Sequence, residues 1–83
     1  MRLMLCSVKD VAVQAYQPPY VARAPGEASR MFADACRDPE RTGVRHPQDL
    51  ILYHLGWWDD GTGEFEVLEK PEVMVTGASL AEK

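Results

Sequence analysis

Leu50-Ile51-Leu52-Tyr53-His54-Leu55-Gly56-Trp57-Trp58-Asp59-Asp60-Gly61-Thr62-Gly63-Glu64-Phe65-Glu66-Val67 is the stretch whose reading decides the fold. Leu50 to Trp58 is rich in the branched and aromatic side chains that suit a pleated surface. Strict alternation puts Ile51, Tyr53, Leu55 and Trp57 on one face and Leu50, Leu52, His54 and Trp58 on the other. Asp59-Asp60-Gly61-Thr62-Gly63 then signals a hairpin turn, because glycine accepts positive φ and aspartate bonds its own backbone. Glu64 to Glu69 is the return strand, with Phe65 and Val67 facing inward and Glu64, Glu66 and, after a slip near Leu68, Glu69 facing water. Pro71 is expected to break that strand, and Val73-Met74-Val75 to add a short closing one.

Working outward from this hairpin, Met1 to Val8 carries apolar side chains on both alternating faces, Met1, Leu3 and Leu5 on one and Met4, Cys6 and Val8 on the other. A strand of that kind is central in its sheet or covered on both sides, and it ends at Lys9-Asp10. Tyr16 to Arg23 holds Pro18 and Pro19, which lack a backbone donor, so it is an edge strand or an extended segment. Pro25 to Arg37 reads as a helix: proline at the first position, Glu27 in the first turn, Asp38-Pro39 beyond the end. Ala28, Met31, Phe32, Ala35 and Cys36 form its apolar stripe, while Arg30, Asp34 and Arg37 lie opposite at spacings that allow ion pairs. A polar loop, Asp38 to Asp49, joins the helix to the hairpin. The fold class is therefore α+β: a small, mostly antiparallel sheet of three to five strands with one amphipathic helix packed on one face.

Eighty-three residues hold one modest core, which excludes a two-domain enzyme. We place a single domain at residues 1–76 and a flexible C-terminal tail at 77–83. With 46% hydrophobic and 27% charged residues and a net charge of −4, the composition is that of an ordinary soluble domain. The apolar stretch Leu3 to Val8 is too short to span a membrane or to serve as a secretory signal, so no membrane partner and a cytosolic location are expected. Cys6 and Cys36 lack the spacing of a zinc site and are expected to be small buried hydrophobes.

Charge is unevenly spread. Residues 1–45 carry seven cations (Arg2, Lys9, Arg23, Arg30, Arg37, Arg41, Arg45) against five acids, and residues 46–83 carry two against eight. The overall field does not draw such a chain onto phosphates, so contact with nucleic acid would have to use the local cluster Arg30, Arg37, Arg41 and Arg45. No nucleophile with an orienting base is evident, and we assign no catalytic residue, no metal ligand and no cofactor. His46 and His54 fit no compact zinc pattern, and Asp59, Asp60, Thr62 and Glu64 imitate only a fragment of a calcium loop. Trp57 and Trp58 point to opposite faces and cannot both lie beneath one helix. They and Tyr53 are candidates for packing at a core edge or dimer interface, for a partner-protein surface, or for stacking on bases. A thin sheet with one helix also leaves an apolar face uncovered, which predicts a homodimer or larger assembly.

A set of short motifs carries a resemblance. Met1-Arg2-Leu3-Met4 running into Ser7-Val8-Lys9-Asp10, then Pro18-Pro19-Tyr20, Ala28-Ser29-Arg30-Met31-Phe32, His46-Pro47-Gln48-Asp49, Leu52-Tyr53-His54-Leu55-Gly56, and Asp59-Asp60 with Gly63 resemble the small nonstructural protein of gokushovirus-type Microviridae, phages with circular single-stranded DNA genomes. The resemblance covers about residues 1–71, and none of its motifs is a catalytic signature. Cys6 and Leu50-Ile51 stand where the family often has tyrosine, and Ala24 where it often has asparagine, which leaves the helix without a side-chain cap. The resemblance implies a non-enzymatic protein of the host bacterial cytoplasm, outside the virion, that helps switch synthesis from double-stranded replicative form to single strands for packaging. Two mechanisms compete: docking on the replication machinery, either the viral initiator or host factors, or direct binding of single-stranded DNA through Arg30, Arg37, Arg41, Arg45, Trp57 and Trp58. The −4 charge favours the first.

Overall fold

The computed structural model describes residues 1–37 and 46–81. Its elements are β1 (Arg2–Asp10), β2 (Ala15–Tyr16), β3 (Tyr20–Ala22), α1 (Pro25–Arg37), a 3-10 turn (Pro47–Asp49), β4 (Leu50–Asp59), β5 (Phe65–Thr76) and α2 (Gly77–Ala81). All strand pairings are antiparallel, in the order β2–β1–β4–β5, with β3 pairing the same edge of β1 as β2. This is the α+β architecture expected from the hairpin and the helix. The edge segment is split into two short strands because Pro18 and Pro19 fall in the gap between them.

One face of the sheet is covered. Met4, Cys6, Val8, Ala22, Leu50 and Leu52 from the sheet meet Ala28, Phe32 and Cys36 from α1 in a single core, with Tyr20, Trp57, Met74 and Val75 at its margin. Tyr20 ties the layers together by donating its hydroxyl to the Ala28 carbonyl at 3.2 Å. Glu27 reaches back to accept the Arg23 N–H at 3.3 Å, an N-terminal contact that compensates in part for the uncapped Ala24. Met31, expected in the buried stripe, is 44% exposed. It lies about 100° around the helix from Phe32, and α1 is rolled so that Ser29 and Ala33, on the other flank, turn inward instead. Arg30 and Asp34 do not close an ion pair; among the described residues the pairs are Arg2 with Glu66 and the Met1 amine with Asp59 and Asp60.

Three departures from regular alternation reshape the hairpin, the smallest a bulge at Met74, which is left between Val75 facing Leu52 and Val73 facing Tyr53. On β4, Gly56 faces Leu5 while His54 faces Cys6, so Leu55 is an extra, bulged residue. The bulge reverses the facing expected beyond it: Trp57 shares the helix side with Leu50, Leu52 and His54, and Trp58 shares the open side with Ile51 and Tyr53. On β5, Val67 faces Gly56 and Glu72 faces His54, leaving residues 68–71 opposite Leu55 alone. Pro71 therefore does not end the strand. Its missing N–H falls in the unpaired stretch, where no ladder bond is lost. Phe65 and Val67 do not face inward, as expected; they are 63% and 72% exposed because they lie on the side away from α1. The chain from Gly77 on, read as a tail, begins with α2, which packs on the Pro47–Asp49 turn with Gly77 buried.

Candidate functional site

The open side of the sheet is the most distinctive surface of the molecule. Cross-strand register brings Leu3 and Trp58 together with Phe65, Leu5 together with Val21 and Val67, and Tyr53 together with Val73, all on the face opposite α1. Trp58 and Phe65 stack with centroids 6.4 Å apart, and Tyr16 meets Tyr53 edge-on at 5.6 Å. Leu5, Pro19, Val21, Trp58 and Phe65 line an open groove of about 340 Å³ here. Polar groups on this face are few. Ser7 is buried, with its hydroxyl donating to the Gln17 carbonyl at 2.6 Å, and Lys9 lies over the Tyr16 ring at 5.5 Å. Such a surface offers a partner apolar and aromatic area with little fixed charge.

Trp57 occupies a different environment. The Arg2 guanidinium stacks over its ring at 4.3 Å, while Arg2 also holds Glu66 at 3.0 Å. His54 meets the same ring edge-on at 4.9 Å, and its Nε2 lies 2.7 Å from the Gly56 carbonyl, to which it donates. Trp57 is thus held by its own chain. The acidic group at the turn is hairpin chemistry: Asp59 Oδ1 accepts the N–H of Gly61 at 2.7 Å and of Thr62 at 3.2 Å, and Thr62 Oγ1 accepts the Glu64 N–H. Those two backbone bonds, more than the nearby Met1 ammonium, hold the Asp59 carboxyl below its ordinary value. Cys6 and Cys36 are buried free thiols, and burial raises both above the usual thiol range, away from the reactive thiolate.

Among the described residues, the candidate binding side chains do not converge. Arg30 and Arg37 stand exposed on the outer side of α1, Trp57 on the α1 side of the sheet under Arg2, and Trp58 on the opposite face. Arg41 and Arg45 lie outside the described residues. Sequence reasoning missed Tyr16, Phe65, Val67 and Val73 as surface residues. The signal that could have found them is the second apolar face of β1, where Leu3 and Leu5 have no helix to meet.

A family model described as Phage ORF5 protein matches residues 3–80. The chain belongs to the Phage ORF5 protein family. The match runs from β1 into α2 and so spans the strands and helix of both layers. No curated protein and no solved structure matches this ORF5-family chain significantly. Among its described residues no helix is long and apolar enough to cross a membrane.

Proposed function

We propose that this ORF5-family protein is a non-enzymatic regulator of phage DNA replication, of gokushovirus type, that acts in the host bacterial cytoplasm by docking on the replication machinery. In that role it promotes the change from double-stranded replicative-form synthesis to single-stranded genome synthesis. Family membership supports the phage setting, and the motif resemblance supports the replication step. The observation that carries the docking mode is the open sheet face. It is apolar and aromatic, Lys9 is the one cation that the strand pairing places on it, and the helix arginines Arg30 and Arg37 stand on the other layer. A protein surface fits it better than a polyanion.

The second reading, direct binding of single-stranded DNA, is favoured by one feature: Tyr16, Tyr53, Trp58 and Phe65 share that face and could act as a stacking platform. The decisive experiment quantifies the two DNA forms in cells infected with phage lacking this protein. Replicative form should accumulate while single-stranded genomes fall. An unchanged ratio would refute the replication role.

A further inference from the structure

We infer that the open sheet face is occupied by a second copy of this chain, giving a homodimer in which two sheets stack face to face and the helices lie outside. The inference rests on the reading of that face as protein-binding and names its partner. Area is the first argument. Tyr16, Val21, Phe65, Val67 and Val73 are 44%, 37%, 63%, 72% and 58% exposed. With the half-buried Leu3, Leu5, Ile51, Tyr53 and Trp58 they present on the order of 700 Å², close to the ~800 Å² that each partner contributes to a standard interface.

Charge is the second argument. In a twofold interface each patch meets itself, so a central charge would face its own like; among the residues that the strand pairing places on this face, the one charged side chain is Lys9, beside Tyr16 on β1. The third argument concerns the alternative route to self-association. The outer edge of β5 carries Glu66, Glu69, Lys70, Pro71 and Glu72 around its unpaired stretch, devices that discourage edge-to-edge pairing. Face-to-face packing remains, and two twisted sheets accept it at a spacing of about 10 Å. Because the replication machinery is proposed to use the same face, a second copy and the machinery bind it in competition.

Sedimentation equilibrium on the full chain, from about 1 to 100 µM, tests this. Wild type should sediment as a dimer. Val67→Glu and Val73→Glu, at exposed positions that leave the core intact, should each weaken dimerisation by 100-fold or more with an unchanged far-ultraviolet spectrum, whereas Met31→Glu on the helix layer should have no effect. A monomeric wild type throughout, or a dimer indifferent to both face variants, would overturn the inference. The same samples titrated with a labelled mixed-sequence oligonucleotide separate this failure from failure of the docking reading. A monomer that ignores DNA overturns the dimer alone, and a monomer whose face variants lose tight DNA binding overturns the protein-binding reading as well.

Discussion

Phe32 and Tyr20 show how much of a small core rests on single side chains. Phe32 is 2% exposed at the centre of the α1 stripe, against Met4, Cys6 and Leu52, and few other contacts can collapse into the space it fills. Phe32→Ala should therefore cost about 3–5 kcal/mol, read from urea unfolding. Tyr20 couples stability to pH. Burial first, and then the nearby Cys6 thiol group, push its pKa up to about 12, against about 10 in the unfolded chain. A group whose folded pKa is raised gives its full contribution below the unfolded value and loses it as pH climbs through the folded value. The urea midpoint should fall between pH 10 and 12, by an amount bounded at about 2–3 kcal/mol and reduced by the partial solvent access of the ring. Tyr20→Phe should cost about 0.5–1.5 kcal/mol at pH 7 and flatten that alkaline slope; a slope as steep as wild type would assign it to other groups.

At the scale of elements, the bulges and the turns hold the hairpin in register. Gly56 sits where β5 passes closest: a Cβ there would run into the Glu66 carbonyl and lie 2.9 Å from the Val67 Cα. Backbone cannot yield as a side chain can, so Gly56→Ala should destabilise by about 1–3 kcal/mol, seen as a lowered thermal midpoint, and should loosen amide protection in Phe65–Val67. The β1–β2 turn offers the opposite experiment. Gln14 adopts φ 54°, a left-handed conformation that costs a residue with a Cβ about 1 kcal/mol. Gln14→Gly should recover part of that, while Gly63→Ala, at φ 77°, should lose about as much. Thermal melts of the pair, measured together, give opposite signs if both turns are as described.

For the whole molecule the governing fact is that one layer of helix covers one face of the sheet. It separates the arginines of α1 from the aromatics of the open face, and so predicts weak binding to a mixed-sequence single strand at physiological salt. Fluorescence anisotropy should show little salt dependence, and Arg30→Ala and Arg37→Ala should change nothing. A log-affinity slope of about −0.7 per neutralised phosphate, shallower by one contact in each variant, would favour the DNA reading. The sequence by itself determined the helix Pro25–Arg37, the turn at Asp59–Gly63 and the edge position of the proline segment, because each depends on local chemistry: a proline and an acid in the first turn, a positive φ, a missing donor. It also showed in Leu3 and Leu5 that β1 has a second apolar face. Only the tertiary structure decided which tryptophan lies on which side, that Pro71 is carried within β5, and that Phe65 and Val67 face outward. Alternation states which residues share a face but not which face the helix covers, and a one-residue bulge at Leu55, set by pairing with two neighbouring strands, exchanges the faces for everything beyond it.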